Sequence, residues 1–218
     1  MCGRFLLLTS GKDIAEAFDL TGFPELAPRY NIAPTQPVVA VRASASGRAA
    51  ALLRWGLVAP WAKDTKQSPI NARSETVAEK PTFRHALRKR RCLVPADGFY
   101  EWAAAGSRKQ PFCFRPGDGR PFAFAGLWEH WEGPDGPLES CCILTTTAND
   151  LVRPVHDRMP VIVPERHWSA WLDAGLQEAG TLLPLLRPFP SDAMRAHPVG
   201  QLVNNPRNDG PECLAQAQ

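Results

Sequence analysis

Proline limits what this chain can fold into more than any other residue. There are 22 of them in 218 residues. Proline removes a backbone donor and clashes with the preceding helical turn, so a helix interior rejects it. A helical bundle is therefore disfavoured, and many turns between short strands are expected. The length suits one good-sized domain with a real apolar core.

The local patterns agree. GRFLLLTS reads as a first strand, and Ser10 can cap a short helix over 11–19, with Asp13 in its first turn and Ile14 and Phe18 one turn apart. RYNIAPTQ (29–36) reads as a turn-rich loop. PVVAVRA and AALLRWG read as two strands joined by the turn SASG. A long polar, proline-rich loop runs from Leu57 to Asn71, and TFRHALRKRR (82–91) has a helical look with a strongly basic end. RCLVPADGFYEW reads as strand, Asp-Gly turn, strand. KQPFCFR and PFAFAGLWEHW are further strands around a GDG turn, and LESCCILTTTAN is another. HDRMPVIV reads as a loop entering a strand. PERHWSAWLDAG is a helix with Gly175 past its end, and QEAGTLLPLL a second short one. The tail after Asp209 is expected to be loose. Many strands with few helices give an α+β or mainly-β single domain. Without a βαβ rhythm, a GxGxxG or a P-loop, a nucleotide-binding fold is not indicated.

Net charge is only +3, so nucleic-acid binding has to rest on local clustering. No apolar run approaches the ~20 residues of a membrane span, and Leu6, Leu7 and Leu8 are too few for a signal-peptide core. A soluble cytoplasmic protein is expected. Six cysteines show no CxxC or His/Cys cluster, so no metal or other cofactor is expected. Cys92, Cys113, Cys141 and Cys142 sit in apolar runs and are expected as buried thiols.

Four stretches carry more polar chemistry than a core requires: MCGR at the start, PINARSET (69–76), ADGFYEW (96–102) and TTTAND…HDRMP (145–160). Each has a plain alternative. Glu101 could alternate outward from a strand, Asn71 could be a turn residue, His156 an ordinary loop histidine, and Arg4, Arg73 and Arg158 solvated charges. The run Arg88, Lys89, Arg90, Arg91, with Arg84 one turn earlier, is either a solvated helix face or an auxiliary contact for phosphates. Of the seven tryptophans, Trp61 in its polar loop is the candidate for an exposed stacking platform.

Eight motifs in order, MCGRF, RYNIAPTQ, RWGLVAPWAKD, INARSET, RCLVPADGFYEW, TTTAND, HDRMP and HPVGQLVNN, make the chain resemble the SOS response-associated peptidase (SRAP) family over nearly its full length. The resemblance implies a compact α+β domain (residues 1–209) around a strongly bent, barrel-like β arrangement, followed by the flexible tail 210–218. It implies a sensor of abasic sites in single-stranded DNA that links covalently to the sugar aldehyde through Cys2 once Met1 is removed, by autoproteolysis or by an aminopeptidase. It also implies roles. Glu101 would be an acid/base, Asn71 would orient the Cys2 amine, and His156 would be a second proton carrier. Arg4, Arg73 and Arg158 would grip phosphates, Thr145 would assist at a phosphate or sugar, and Trp61 would stack on a base. The expected partner is single-stranded DNA with abasic sites, bound by a monomer that joins the nucleoid on damage, with no membrane. Two rival readings share these residues: a thiol hydrolase or cysteine peptidase using Cys2 with His156 and Glu101, and a non-covalent single-stranded DNA-binding module.

Overall fold

A closed barrel and a second, open sheet share one core. The computed structural model describes residues 2–20, 22–23, 25–106 and 108–217. In chain order the described strands are β1 (Phe5–Leu7), β2 (Arg29–Ile32), β3 (Pro37–Ser44), β4 (Gly47–Trp55), β5 (Asn71–Arg73), β6 (Arg91–Ala96), β7 (Gly98–Ala105), β8 (Arg108–Pro116), β9 (Phe122–Gly133), β10 (Gly136–Thr147), β11 (Arg158–Pro160) and β12 (Met194–Pro198). The helices are short: α1 (Gly11–Ala17), α2 (Pro81–Lys89), α3 (Trp168–Leu172) and α4 (Ala179–Leu182). The architecture is the α+β, barrel-centred single domain that the sequence implies.

The barrel follows from two hairpins and one closure. β3 and β4 pair from Pro37↔Arg54 to the turn at Ser44↔Gly47, and β9 and β10 from Gly126↔Ile143 to Gly133↔Gly136. β6 bridges β3 and β9. The parallel pairing of Ser140 and Cys141 with Arg54 and Trp55 closes the ring of five strands. Closure leaves no exposed edge on these strands. β5 and β11 lie against the far end of β10. The second sheet has the order β12-β8-β7-β1-β2.

Phe5 on β1 joins the two layers. Its ring meets Trp55 at 5.2 Å and Phe124 at 5.8 Å, both edge-on, and Phe99 on β7 reaches Phe124 at 6.2 Å. All four rings are fully buried. Aromatic burial on this scale dominates a core's energetics.

Three features depart from the local reading. First, the Asp-Gly step after β6 is not a hairpin turn. β6 belongs to the barrel and β7 to the second sheet, and the chain passes between them at Asp97. The buried Asp97 carboxylate accepts from Leu8 N (2.5 Å), Thr9 N (2.7 Å) and Thr9 Oγ1 (2.6 Å), fixing the end of β1 to the crossing. Gly98 is required there, because a Cβ would lie 2.6 Å from the Phe114 carbonyl oxygen. The GDG turn likewise joins β8 and β9 of different sheets.

Second, RYNIAPTQ opens with a strand, β2. The Asp209 carboxylate accepts from Tyr30 N (2.6 Å) and Asn31 N (2.7 Å) and pairs with Arg29. The segment expected as a loose tail is accordingly packed. Pro211–Leu214 forms a 3-10 turn, Cys213 is buried, and Ala217 N donates to Pro198 O at 3.1 Å.

Third, the basic run divides. Arg91 is buried, donating from its guanidinium to the carbonyls of Leu87 (2.6 Å), Arg88 (2.9 Å), Trp171 (2.5 Å) and Asp173, so it ties the end of α2 to α3. Arg90 pairs with the buried Glu129. Only Arg84, Arg88 and Lys89 face solvent. The six cysteines are buried thiols, and no disulfide forms among the described residues.

Asp97→Ala removes one acceptor serving three donors. Hydrogen bonds to a charged acceptor contribute about 1.5–3 kcal/mol each, and not additively. A loss of about 2–5 kcal/mol is expected in chemical denaturation. A change under about 0.5 kcal/mol would show that the crossing does not depend on this carboxylate.

Candidate functional site

The site begins where β1 enters the sheet. β1 runs antiparallel to β7 with Phe5 opposite Phe99, and Tyr100 N donates to Arg4 O at 3.0 Å. This register carries residues 2–4 past Tyr100 and Glu101. Cys2 is fully buried, and burial pushes its thiol up, with the Glu101 charge adding to the shift and the Arg4 backbone N–H opposing it.

Glu101 is 2% exposed, so it does not alternate outward. Burial pushes its carboxyl up to about 7. A carboxyl in that range is part acid and part base at neutral pH.

Asn71 arrives from the other layer. β5 pairs in parallel with β10, Asn71 opposite Ile143, and Asn71 Nδ2 donates to Cys2 O at 2.7 Å. Its Oδ1 is buried and accepts from no described residue. A buried acceptor of this kind is costly unless a donor reaches it.

His156 ends the turn after β10, which Asn149 organises by accepting from Val152 N at 3.0 Å. His156 Nδ1 accepts from Arg158 N at 2.9 Å and lies 2.9 Å from Asp157 Oδ1. The first contact suits the neutral ring and the second the charged one. Burial holds the imidazole below its usual range, which favours the neutral ring with its proton on Nε2.

A polar cleft of about 600 Å³ opens at Glu101 and His156. It is lined by Glu101 and His156 with Arg4, Trp102, Arg108, Lys109, Gln201 and Asn204. Cys2, Asn71, Glu101 and His156, 154 residues apart at the extremes, thus lie around one place. Arg108, Lys109, Gln201 and Asn204 were not singled out in the sequence. HPVGQLVNN was the available signal, since it contributes Gln201 and Asn204.

The cations differ in what they already hold. Arg4 Nη1 donates to Asn31 Oδ1 (2.8 Å) and Val203 O (2.6 Å), and the guanidinium lies 5.8 Å over Trp102. Arg158 grips Glu75 through both terminal nitrogens, at 2.6 and 2.9 Å, and donates to Thr145 O at 2.7 Å and Thr145 Oγ1 at 3.3 Å. The Arg158 side chain is 11% exposed and Glu75 47%, so the carboxylate shields the guanidinium from solvent. Thr145 is fully buried, opposite Arg73 in the β5–β10 register. Arg73 is exposed and makes no ion pair among the described residues. Trp61, 62% exposed, belongs to a separate cleft of about 850 Å³ with Lys63, Lys66 and Lys80. No His/Cys/Asp/Glu group among the described residues is disposed to hold a metal. No helix is long and apolar enough to cross a membrane among those residues.

A model of the family described as SOS response associated peptidase (SRAP) matches residues 1–206. The chain is 43% identical over 221 residues to the abasic site processing protein YoqW of Bacillus subtilis (strain 168), spanning 98% of this chain and 99% of that protein. It is 35% identical over 199 residues to the abasic site processing protein HMCES of Xenopus tropicalis, spanning 79% of this chain and 59% of that one. Among solved structures, a protein from Bacteroides thetaiotaomicron matches over 100% of both chains with a TM-score of 0.88 at 23% identity, a likeness of fold.

The raised Glu101 carboxyl has a thermodynamic signature. Between the ordinary carboxyl range and pH 7 the folded state holds a proton that the unfolded state releases, so stability falls as pH rises through that window. Glu101→Gln removes the term. Its stability relative to the unsubstituted protein is expected to rise between pH 4.5 and 8, by on the order of 2–4 kcal/mol. Parallel stability curves over that range would contradict the raised carboxyl.

Proposed function

The chain belongs to the SOS response associated peptidase (SRAP) family, and on that premise we propose that it processes abasic sites by linking covalently to their aldehyde through Cys2. The observation that carries the reading is the Asn71 side chain bonded to the Cys2 carbonyl, with the buried Glu101 near enough for its charge to act on the Cys2 thiol.

The chemistry needs an amine and a thiol on one residue. While Met1 is attached, the Cys2 nitrogen is an amide and is not a nucleophile. Once Met1 is removed, the α-amine has an ordinary pKa of ~7.7–8.0, which leaves a useful neutral fraction near pH 7. The amine attacks the sugar C1 aldehyde and water leaves, giving an imine. The Cys2 thiol adds across the imine and its proton goes to nitrogen, closing a thiazolidine. The net change is loss of one water.

Each residue has a part. Protonated Glu101 opens the closed sugar by donating to its ring oxygen and recovers a proton from the C1 hydroxyl; it then donates to the departing hydroxyl and takes that proton back from the iminium nitrogen. Asn71 Oδ1 accepts from the new α-amine and orients it. Neutral His156 is the second proton carrier. Arg73 grips a phosphate directly, and Arg158 does so where a phosphate displaces Glu75 from its fork. Trp61 stacks on an unpaired base, a contact worth about 1–3 kcal/mol. The strand is single, because the base-free sugar has to reach a buried residue.

A turnover thiol hydrolase fits less well. That chemistry favours a thiolate beside an imidazolium. Here burial pushes the Cys2 thiol up and the His156 ring down, so both are held neutral.

The test is a denaturing gel with Met1-free protein and a single-stranded oligonucleotide carrying one abasic site, without added reductant. A shifted band is expected with that strand and not with the intact strand. Cys2→Ala is expected to keep salt-sensitive binding and lose the band. Glu101→Gln is expected to slow the band's appearance about 10²-fold or more with little change in affinity. A covalent band with Cys2→Ala would overturn the assignment.

A further inference from the structure

We propose that Arg108 and Lys109 form a phosphate seat facing Glu101, taking a phosphodiester of the same strand whose abasic sugar reaches Cys2. The inference rests on the reading above and adds a second anchoring point to it.

The cleft is lined by two unlike kinds of group. Glu101 and His156 are the proton-handling ones. The lining also includes Arg108 and Lys109, adjacent residues at the start of β8. Both are exposed, and neither makes an ion pair among the described residues. Arg4, by contrast, spends Nη1 on Asn31 and Val203. Arg108 and Lys109 are thus the cations of this cleft that face solvent with no side-chain bond to hold them among the described residues, while Arg4 is half-buried and tied down.

The surrounding bonds hold this pair in place without using its charges. Gln201 Nε2 donates to the Lys109 backbone carbonyl at 3.1 Å, and Asn204 Nδ2 donates to Gln201 Oε1 at 2.5 Å. Trp102 Nε1 donates to Asn204 Oδ1 at 2.6 Å. The HPVGQLVNN segment therefore clamps the β8 backbone to β7 through bonds that use neither the Lys109 ammonium nor the Arg108 guanidinium. That gives this motif a function which the covalent chemistry does not require of it.

A phosphodiester is the anion that suits the place. A lone carboxylate or phosphate would meet Glu101 with no compensating attachment. A strand phosphate is tethered to the sugar at Cys2, so its local concentration is set by the strand itself. The field supports the placement, since the Lys109 charge acts on both Glu101 and His156.

The experiment measures equilibrium binding of a single-stranded oligonucleotide containing a tetrahydrofuran abasic analogue, which has no aldehyde and stays non-covalent. Titrations run from about 50 to 200 mM salt. The proteins are the unsubstituted chain, Arg108→Gln, Lys109→Gln, the double variant, and Lys12→Gln on α1 as a matched charge change elsewhere. Each seat variant is expected to lower the slope of log affinity against log salt by about 0.7, the value for one single-strand phosphate contact. Because both cations serve one phosphodiester, the double variant is expected to lose no more than that one contact's slope, and Lys12→Gln to match the unsubstituted chain. Unchanged slopes for both seat variants, or an equal drop with Lys12→Gln, would overturn the seat. The aldehyde strand is run in parallel on the unsubstituted protein. Crosslinking with unchanged seat slopes removes the seat alone. Lowered slopes without crosslinking support the seat and remove the covalent reading.

Discussion

The pairing of β1 with β7 is the constraint on which the rest of the molecule depends. β1 is three residues long, yet it is the middle strand between β7 and β2 and supplies Phe5 to both layers. Its register fixes which residue of β7 stands beside Cys2. A slip of one residue in β1 would turn Phe5 out of the core and set Cys2 beside a different residue of β7. Packing energy from the aromatic cluster therefore serves positional accuracy at the chain's start. Asp97 secures the other end of β1, so the strand is held at both ends by groups distant in sequence.

Burial sets the chemistry as much as proximity does. It raises the Cys2 thiol and the Glu101 carboxyl and lowers the His156 imidazole, all toward neutral forms. A neutral acid near pH 7 suits opening a sugar and losing water. Outside this pocket the character changes. Arg73, Arg108, Lys109 and the lysines around Trp61 are exposed cations, suited to a polyanion in exchange for counterions. The Glu75–Arg158 fork holds an internal carboxylate where a phosphate could sit.

What the sequence disclosed was mostly local. Ser10 accepting from Asp13 N, with Ile14 buried behind it, is legible because a cap and a one-turn spacing are local events. The buried cysteines and the exposed Trp61 followed from their immediate neighbours. The hidden features depend on distant partners. β2 looks like a turn until Asp209 binds its amides across 179 residues. Arg90 and Arg91 read as surface charge until Glu129 and the carbonyls of α2 and α3 surround them. At the site, spacing could not join Cys2 to Asn71, Glu101 and His156. The motif resemblance singled them out, and the sheet topology brings them together. Arg108 and Lys109 had no such signal, because two cations at the start of a strand look like any solvated turn.

The central claim is that an aminothiol, and not a thiol alone, captures the sugar. Intact-mass measurement of the covalent product tests it most directly. The account predicts a single adduct equal to the chain without Met1 plus the abasic strand less one water, and no adduct on chains that keep Met1. An adduct on Met1-bearing protein, or a mass retaining that water, would contradict it.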